Sequence, residues 1–353
     1  MLYQILCAAL AVNGALAAPL TRSNDAACTS PRVRKAWHKL TQDEKKSYID
    51  AELCLMSKPA TLGLRGAKTR FDEFQSVHVY QSEIAHFVGQ FFPFHRLYVW
   101  AHEQALIEDC GYTGAHPYWD ETLDAGAFSK SIILDADAGF GGDGVAPAQC
   151  IQTGPFASYV NPIGPGYNLT NHCIQRRISD AQSRGAAKEI VDGCLNLGTF
   201  VEFWRCSETQ PHGAGHGGIG AQMVNPVSSP GDPLFYLHHA WLDRLWATWQ
   251  AKDPEVRLRE IGGDNRGGFL GFPGPGGFPG GGGSDGPFIP VPFDPSGFDG
   301  LVRPDDVPAP VVVGDPGNTT TLNQVLQMYG IIPNSTIAEV MDTRGGTLCY
   351  EYD

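Results

Sequence analysis

Two spaced triplets of histidine constrain this chain more than any other feature. The first is His78, His86 and His95, within VHVYQSEIAHFVGQFFPFHRLY. The second is His212 and His216, in PHGAGH, joined by His239 further on in DPLFYLHHAWLDRLW. Imidazole suits copper, zinc, iron and nickel, and no Cys or Met stands at ligand spacing, which argues against soft thiolate sites. Two sets of three neutral imidazoles are what a pair of copper ions needs to bind dioxygen between them. Histidine alone does not select copper over zinc; the duplication and the surrounding residues do.

His212 and His216 are spaced i, i+4, which on a helix puts both rings on one face and within reach of one ion. His239 sits in a second helix and completes three ligands. Its neighbour His238 points roughly a quarter-turn away, so only one of the pair serves as ligand. Asp243, one helical turn beyond His239, is the candidate carboxylate for a ring N–H. His38, His102, His116 and His172 read as structural.

Helix signals dominate the first two thirds. Thr41 and Glu44 form a capping box before a periodic stretch ending near Met56. Phe71 to Val88 is amphipathic at helical spacing. Pro93 fits the first turn of a helix running through His95 to about Ile107, and Asp232–Pro233 reads as the start of one carrying His239 through Trp249. Cys194 to Arg205 is a further helix. Long Gly/Pro-rich connections lie between, and a final strand is expected at Thr347–Tyr352. The fold class is therefore mainly α: a helix-bundle core holding the metal site, with long loops and a few short strands. Residues 262–286 are low-complexity and read as a flexible Gly/Pro-rich loop.

Residues 1–17 carry no charge and end in an A-x-A pattern, the mark of a secretory signal peptide, although a basic n-region is missing. Residues 18–353 then form a single catalytic domain. Cys7 leaves with the signal, and the remaining eight cysteines imply four disulfides whose pairing stays open. Asn168, Asn318 and Asn334 head N-glycosylation acceptors. All of this fits a secreted protein. No other apolar stretch is long enough to span a membrane. The formal net charge of −13 disfavours nucleic acid and anionic membranes as partners, since both need a basic face.

These residues carry a family resemblance. The chain resembles the tyrosinase/catechol oxidase (polyphenol oxidase) family of type-3 copper enzymes, and most of all its short secreted fungal members. FFPFHRLY matches the first copper site, and DPLFYLHHAWLDRLWATW the second, where His239 is the ligand of the pair. PYWD at Pro117–Asp120, CGY at Cys110–Tyr112, RKAW at Arg34–Trp37 and the closing YEY at Tyr350–Tyr352 also match. Arg34 is placed to pack against one of those tyrosines as a clasp of the termini.

The resemblance implies a cofactor of two copper ions held by His78, His86, His95, His212, His216 and His239. It implies dioxygen and small phenols as partners: an o-diphenol gives up two electrons and leaves as an o-quinone. Glu208, four residues before His212, implies a carboxylate that orients a water as base toward the phenol. Strong monophenol hydroxylases of the family often carry Asn where this chain has Gly213, so oxidation of o-diphenols with weak or absent hydroxylation is expected. Gly217 is expected to leave the entrance uncrowded, and Val227 to sit near the substrate ring as a small gate. Many eukaryotic members tether the second ligand to a cysteine two residues earlier. Ile84 stands there, so a more mobile His86 and a looser first copper are expected. No C-terminal lid domain follows the YEY motif, and activity without proteolytic activation is expected.

The alternatives are a tyrosinase with full monophenol monooxygenase activity and, from another class, a dioxygen carrier. A carrier shields its coppers with extra domains, for which this chain has no room. A dizinc hydrolase would need bridging carboxylates, which neither triplet includes. Intact histidines argue against a metal-free binding protein. The oligomeric state is open.

Overall fold

The computed structural model describes residues 28–267 and 299–353. The expected signal peptide and residues 268–286 of the Gly/Pro-rich segment lie outside them. Four helices build the frame of the site: α2 (Arg70–Ala85), α3 (Phe91–Cys110), α7 (Gly213–Ile219) and α8 (Leu234–Ala251). Around them stand α1 (Gln42–Ser57), α4 (Asp180–Ser183), α5 (Lys188–Leu195) and α6 (Phe200–Ser207). The strands are short and occur in pairs.

Local chemistry starts these helices where expected. Thr41 accepts from the Glu44 amide and Glu44 accepts from the Thr41 amide, a reciprocal cap that satisfies two otherwise orphaned donors of α1. Thr69 with Asp72 does the same for α2, and Thr199 with Glu202 for α6. Asp232 accepts from the Leu234 amide at the start of α8, and its carboxylate is gripped by Arg176 in a fully buried pair. Gly111 closes α3 at φ 68°, a left-handed conformation glycine adopts without strain.

Two expectations need correction. The stretch from Cys194 to Arg205 is two helices, α5 and α6, broken at Asn196–Thr199 and stapled by the Cys194–Cys206 disulfide. The start of the Gly/Pro-rich segment is packed, not loose: the Gly89 amide donates to Asp264 O, Thr320 N donates to Gly263 O, and Asn265 is buried against the Asp315 carboxylate. Composition reports average chain entropy, and these few specific hydrogen bonds override it.

One contiguous apolar core runs through the bundle. Phe92 of α3, Phe203 of α6 and Trp249 of α8 stack in series, with ring centroids 5.1 Å apart at each step. Aromatic burial of this size supplies most of a core's driving force.

The two ends of the described chain meet. Strand Arg32–Arg34 pairs in parallel with Tyr350–Tyr352, and Cys28 is disulfide-bonded to Cys349. The Arg34 guanidinium lies 3.5 Å from the Tyr350 ring centre, the expected clasp, and also donates to Glu103 and to the Tyr352 hydroxyl. Cys54–Cys110 and Cys150–Cys173 complete the four expected disulfides. All three acceptor asparagines are exposed.

Candidate metal centre

The helices deliver the first triplet from three places. His78 lies mid-α2, His86 caps its C-terminus in extended backbone, and His95 is one turn into α3. Their ring centroids are 5.2 to 5.7 Å apart. Each Nδ1–H donates to a backbone carbonyl: His78 to Val227, His86 to Ser82, and His95 to Phe91, at 2.8–2.9 Å. A carbonyl can only accept, so the proton sits on Nδ1 and the lone pair on Nε2.

The second triplet is built on irregular backbone. Residues Glu208–His212 form a single π-turn containing Pro211, and α7 follows without a break. Proline has no N–H, which favours a change of helical register here. His212 and His216 still share a face, with ring centres 4.5 Å apart, and their Nδ1 atoms donate to Glu208 O and Met223 O. His239 comes in from α8, its Nε2 3.3 Å from that of His216.

The triplets face each other. His95 stacks on His239 at 4.2 Å, and the rings of His86 and His212 lie 6.1 Å apart. Burial pushes His86 down to about 4. Burial, and after it the neighbouring imidazoles, holds His78, His95, His212, His216 and His239 well below the usual histidine range. Six neutral rings therefore converge on a small volume, ready to bind metal without first losing protons.

Glu208 lies between the clusters. One carboxylate oxygen accepts from the Phe87 amide at 2.7 Å, the other from the Trp204 indole at 2.6 Å, and burial lifts the group to about 8. It thereby holds the bend after His86, where Phe87 takes a left-handed φ of 57°. His86 is buried, bonded to Ser82 and flanked by this clamp, so the looseness expected from Ile84 is not what the geometry shows.

The remaining sequence candidates divide. At Gly213 a Cβ would meet nothing within 4 Å, so this position is open. The space above Gly217 is instead filled by the Gln182 side chain of α4, so its lack of a Cβ serves packing rather than an uncrowded entrance. Val227 is fully buried and offers its carbonyl to His78, with its side chain among Val79, Tyr80 and Ile163. It supports a ligand from behind and is no gate. Asp243 does not reach a histidine. Its carboxylate accepts from Arg96 and from the hydroxyls of Tyr350 and Tyr352, each at 2.5–2.6 Å. Consequently His239 Nδ1 is buried with no hydrogen-bond partner among the described residues.

His238, set aside as a ligand on sequence grounds, lies close by: its Nδ1 contacts Glu121 Oε1 at 2.5 Å, and one ring nitrogen each from His212, His216, His238 and His239 lies within 4.8 Å of the others. Glu121 follows the PYWD motif, but nothing in its spacing ties it to His238. A third buried group, Glu52, His102 and His116, lies apart and is bonded within itself and to Tyr48.

Two facing sets of neutral imidazoles on a helical frame are groups that could each hold a metal ion. A model of the common central domain of tyrosinase matches residues 68–252, which hold all six histidines. The chain belongs to the tyrosinase family. Tyrosinase ustQ of Aspergillus flavus is 32% identical over 92% of this chain and 80% of that protein. N-acetyl-6-hydroxytryptophan oxidase ivoB of Emericella nidulans is 25% identical, covering 91% of this chain and 92% of that one. A glycine-to-asparagine mutant of polyphenol oxidase from Thermothelomyces thermophila superposes with a TM-score of 0.71 at 28% identity, over 91% and 88% of the two chains. The family implies a pair of copper ions, and the donor set fits: Nε2 of His78, His95 and His212 is buried with no partner among the described residues. Unpaired buried nitrogens are costly, and a metal on each would remove that cost. No described helix is long and apolar enough to cross a membrane.

Proposed function

We propose that this chain is a secreted type-3 dicopper oxidase that uses dioxygen to convert o-diphenols to o-quinones, with weak or absent hydroxylation of monophenols. The observation that carries the reading is the pair of facing triplets, whose partnerless Nε2 atoms His78, His95 and His212 present to two ions. Bound copper supplies the two-electron exchange between phenol and dioxygen; the protein supplies geometry and electrostatics.

Five of the six rings are pinned through Nδ1 to backbone carbonyls, so their lone pairs are aimed before metal arrives. Phe91 and Phe235 pack against the histidines and keep bulk water from them. Glu208 fixes the His86 bend and, with its raised pKa, is a carboxyl able to hold or pass a proton beside the site. Beside Gly213 there is room for a ring to enter but no side-chain amide to help hold a base. An o-diphenol can use both of its hydroxyls to reach the metals, whereas a monophenol depends more on that missing assistance.

Oxygen uptake by the copper-loaded protein tests this, first with a catechol, then with the matching monophenol, beside the copper-free chain. Uptake with catechol alone is expected. Gly213→Asn should raise monophenol uptake relative to catechol by up to about a hundredfold, the low end for an added proton-transfer aid. Equal rates with both substrates in the unaltered chain would make it a full tyrosinase. Copper binding without uptake on either would favour a carrier.

A further inference from the structure

Five of the six ligand rings are oriented through Nδ1, but not in the same way. His86, His95 and His212 each donate to the carbonyl four residues back in the chain: Ser82, Phe91 and Glu208. His78 and His216 are held from outside their own helices, and by one short segment. Val227 O receives His78, and Met223 O receives His216. We propose that residues 223–228 form a strap that aims one ligand of each triplet, and that the buried side chain of Asn225 is the positioning residue that sets its shape. The inference rests on the dicopper reading and deepens it.

Every polar group of Asn225 is engaged. Its amide donates to Gln222 O and its carbonyl accepts from the Ser229 amide. Its side-chain Oδ1 accepts from the Val227 amide at 3.0 Å and the Ser228 amide at 3.1 Å, and its Nδ2 donates to Asp299 O at 3.0 Å. Asparagine readily caps amides two and three residues on, which turns the chain locally. Pro226, between them, has no amide and a fixed φ, which stiffens the turn. Ser228 then ties the strap down: its carbonyl accepts from Gln75 Nε2, three residues before His78 on α2, and its hydroxyl oxygen accepts from the Gly166 amide. Only an amide side chain can accept from two N–H groups and donate to a carbonyl at once. Aspartate keeps the acceptor and loses the donor; alanine loses both.

The carbonyl behind a metal-binding imidazole fixes its tautomer and the direction of its lone pair. Met223 lies two residues before Asn225 and Val227 two residues after it, so both of these carbonyls hang on the same turn. A shift of the strap therefore moves His78 and His216 together, one in each triplet. The three rings with partners one turn back have no such dependence. A residue that merely stabilised the fold would not sort the histidines in this way.

The test reads the imidazoles of the copper-free chain, by NMR of isotope-labelled histidine. In Asn225→Ala the Nδ1–H signals of His78 and His216 should shift and exchange faster with water, while those of His86, His95 and His212 hold still. Asn225→Asp, which keeps the bonds to the Val227 and Ser228 amides, should recover most of the parent pattern. If Asn225→Ala does not fold, Asn225→Ser, with a shorter acceptor, gives the same comparison with smaller shifts. Leu55→Ala, a core truncation on α1, should cost stability without moving either signal. In the copper-loaded protein, Asn225→Ala should speed copper release to excess chelator about tenfold, the low end for loss of a metal-supporting group. Unmoved His78 and His216 signals in Asn225→Ala, five signals moving alike, or the same two moving in Leu55→Ala would overturn the strap. A parent chain that takes up no copper would instead overturn the dicopper reading, with the imidazole signals still deciding on the strap.

Discussion

The two histidine clusters reach similar geometry by opposite means. The first is fixed: each ring is buried, each Nδ1 is bonded to a carbonyl, and the Glu208 clamp holds the one ligand outside regular helix. The second sits on a π-turn and a glycine-rich helix, one of its rings has no partner on Nδ1, and a further histidine stands beside it. A rigid site beside an adjustable one suggests a division of labour. A first ion would be held in one position, and a second would have more freedom as substrate approached.

The largest effect expected is on turnover. His95→Ala should abolish oxygen uptake and leave about one copper per chain, since no neighbour can replace a pinned ligand. His239→Ala should also abolish uptake, but should loosen its cluster less in the copper-free chain, because this ring has no Nδ1 hydrogen bond to lose. Thermal unfolding of the two copper-free variants decides; equal melting temperatures would erase the contrast between the clusters.

Asp243→Ala should disturb both sides alike. It breaks a buried ion pair that ties α3 and α8 to the C-terminal strand. A loss of about 3–5 kcal/mol is expected from denaturant unfolding, and a loss under about 1 kcal/mol would mean Arg96 finds other partners.

The glycines of α7 sharpen the comparison. Gly215→Ala, whose Cβ would meet the His238 ring and the Glu121 carboxylate, should destabilise the chain by about 1–3 kcal/mol, whereas Gly213→Ala, with open space above it, should stabilise the chain by up to about 1 kcal/mol. Equal behaviour of the two would show that the seat for His238 matters little.

The smallest effect is on pH dependence behind the first cluster. Burial, then His102 and Arg34, keeps His116 well below its usual range. The unfolded chain takes up a proton near pH 6.5 that the folded chain refuses, so the stability present above about pH 6.5 is lost as pH falls below it. The melting temperature of the copper-free protein should therefore drop as the medium is acidified, and less so for His116→Asn. Parallel curves for the two would remove His116 as a cause.

Much of this was legible in the sequence. The six histidines, the Thr41 helix start, the Asp232–Pro233 start and the Arg34 clasp are local patterns or near-literal motif matches. Val227, Asp243 and Gly217 were misread for one shared reason: each acts through a partner distant in sequence, namely His78, Arg96 with the closing tyrosines, and Gln182. Helical spacing offered Asp243 to His239, but an arginine on the facing helix wins the carboxylate.

Arg96 directly follows the ligand His95, and Asp243 lies one turn beyond the ligand His239. The bond between them ends on Tyr350 and Tyr352. The strand Tyr350–Tyr352 is thus wired through two side chains to the helices that carry both histidine clusters. Loosening it would pull on both clusters at once, so this short strand works as a common tension line for the pair.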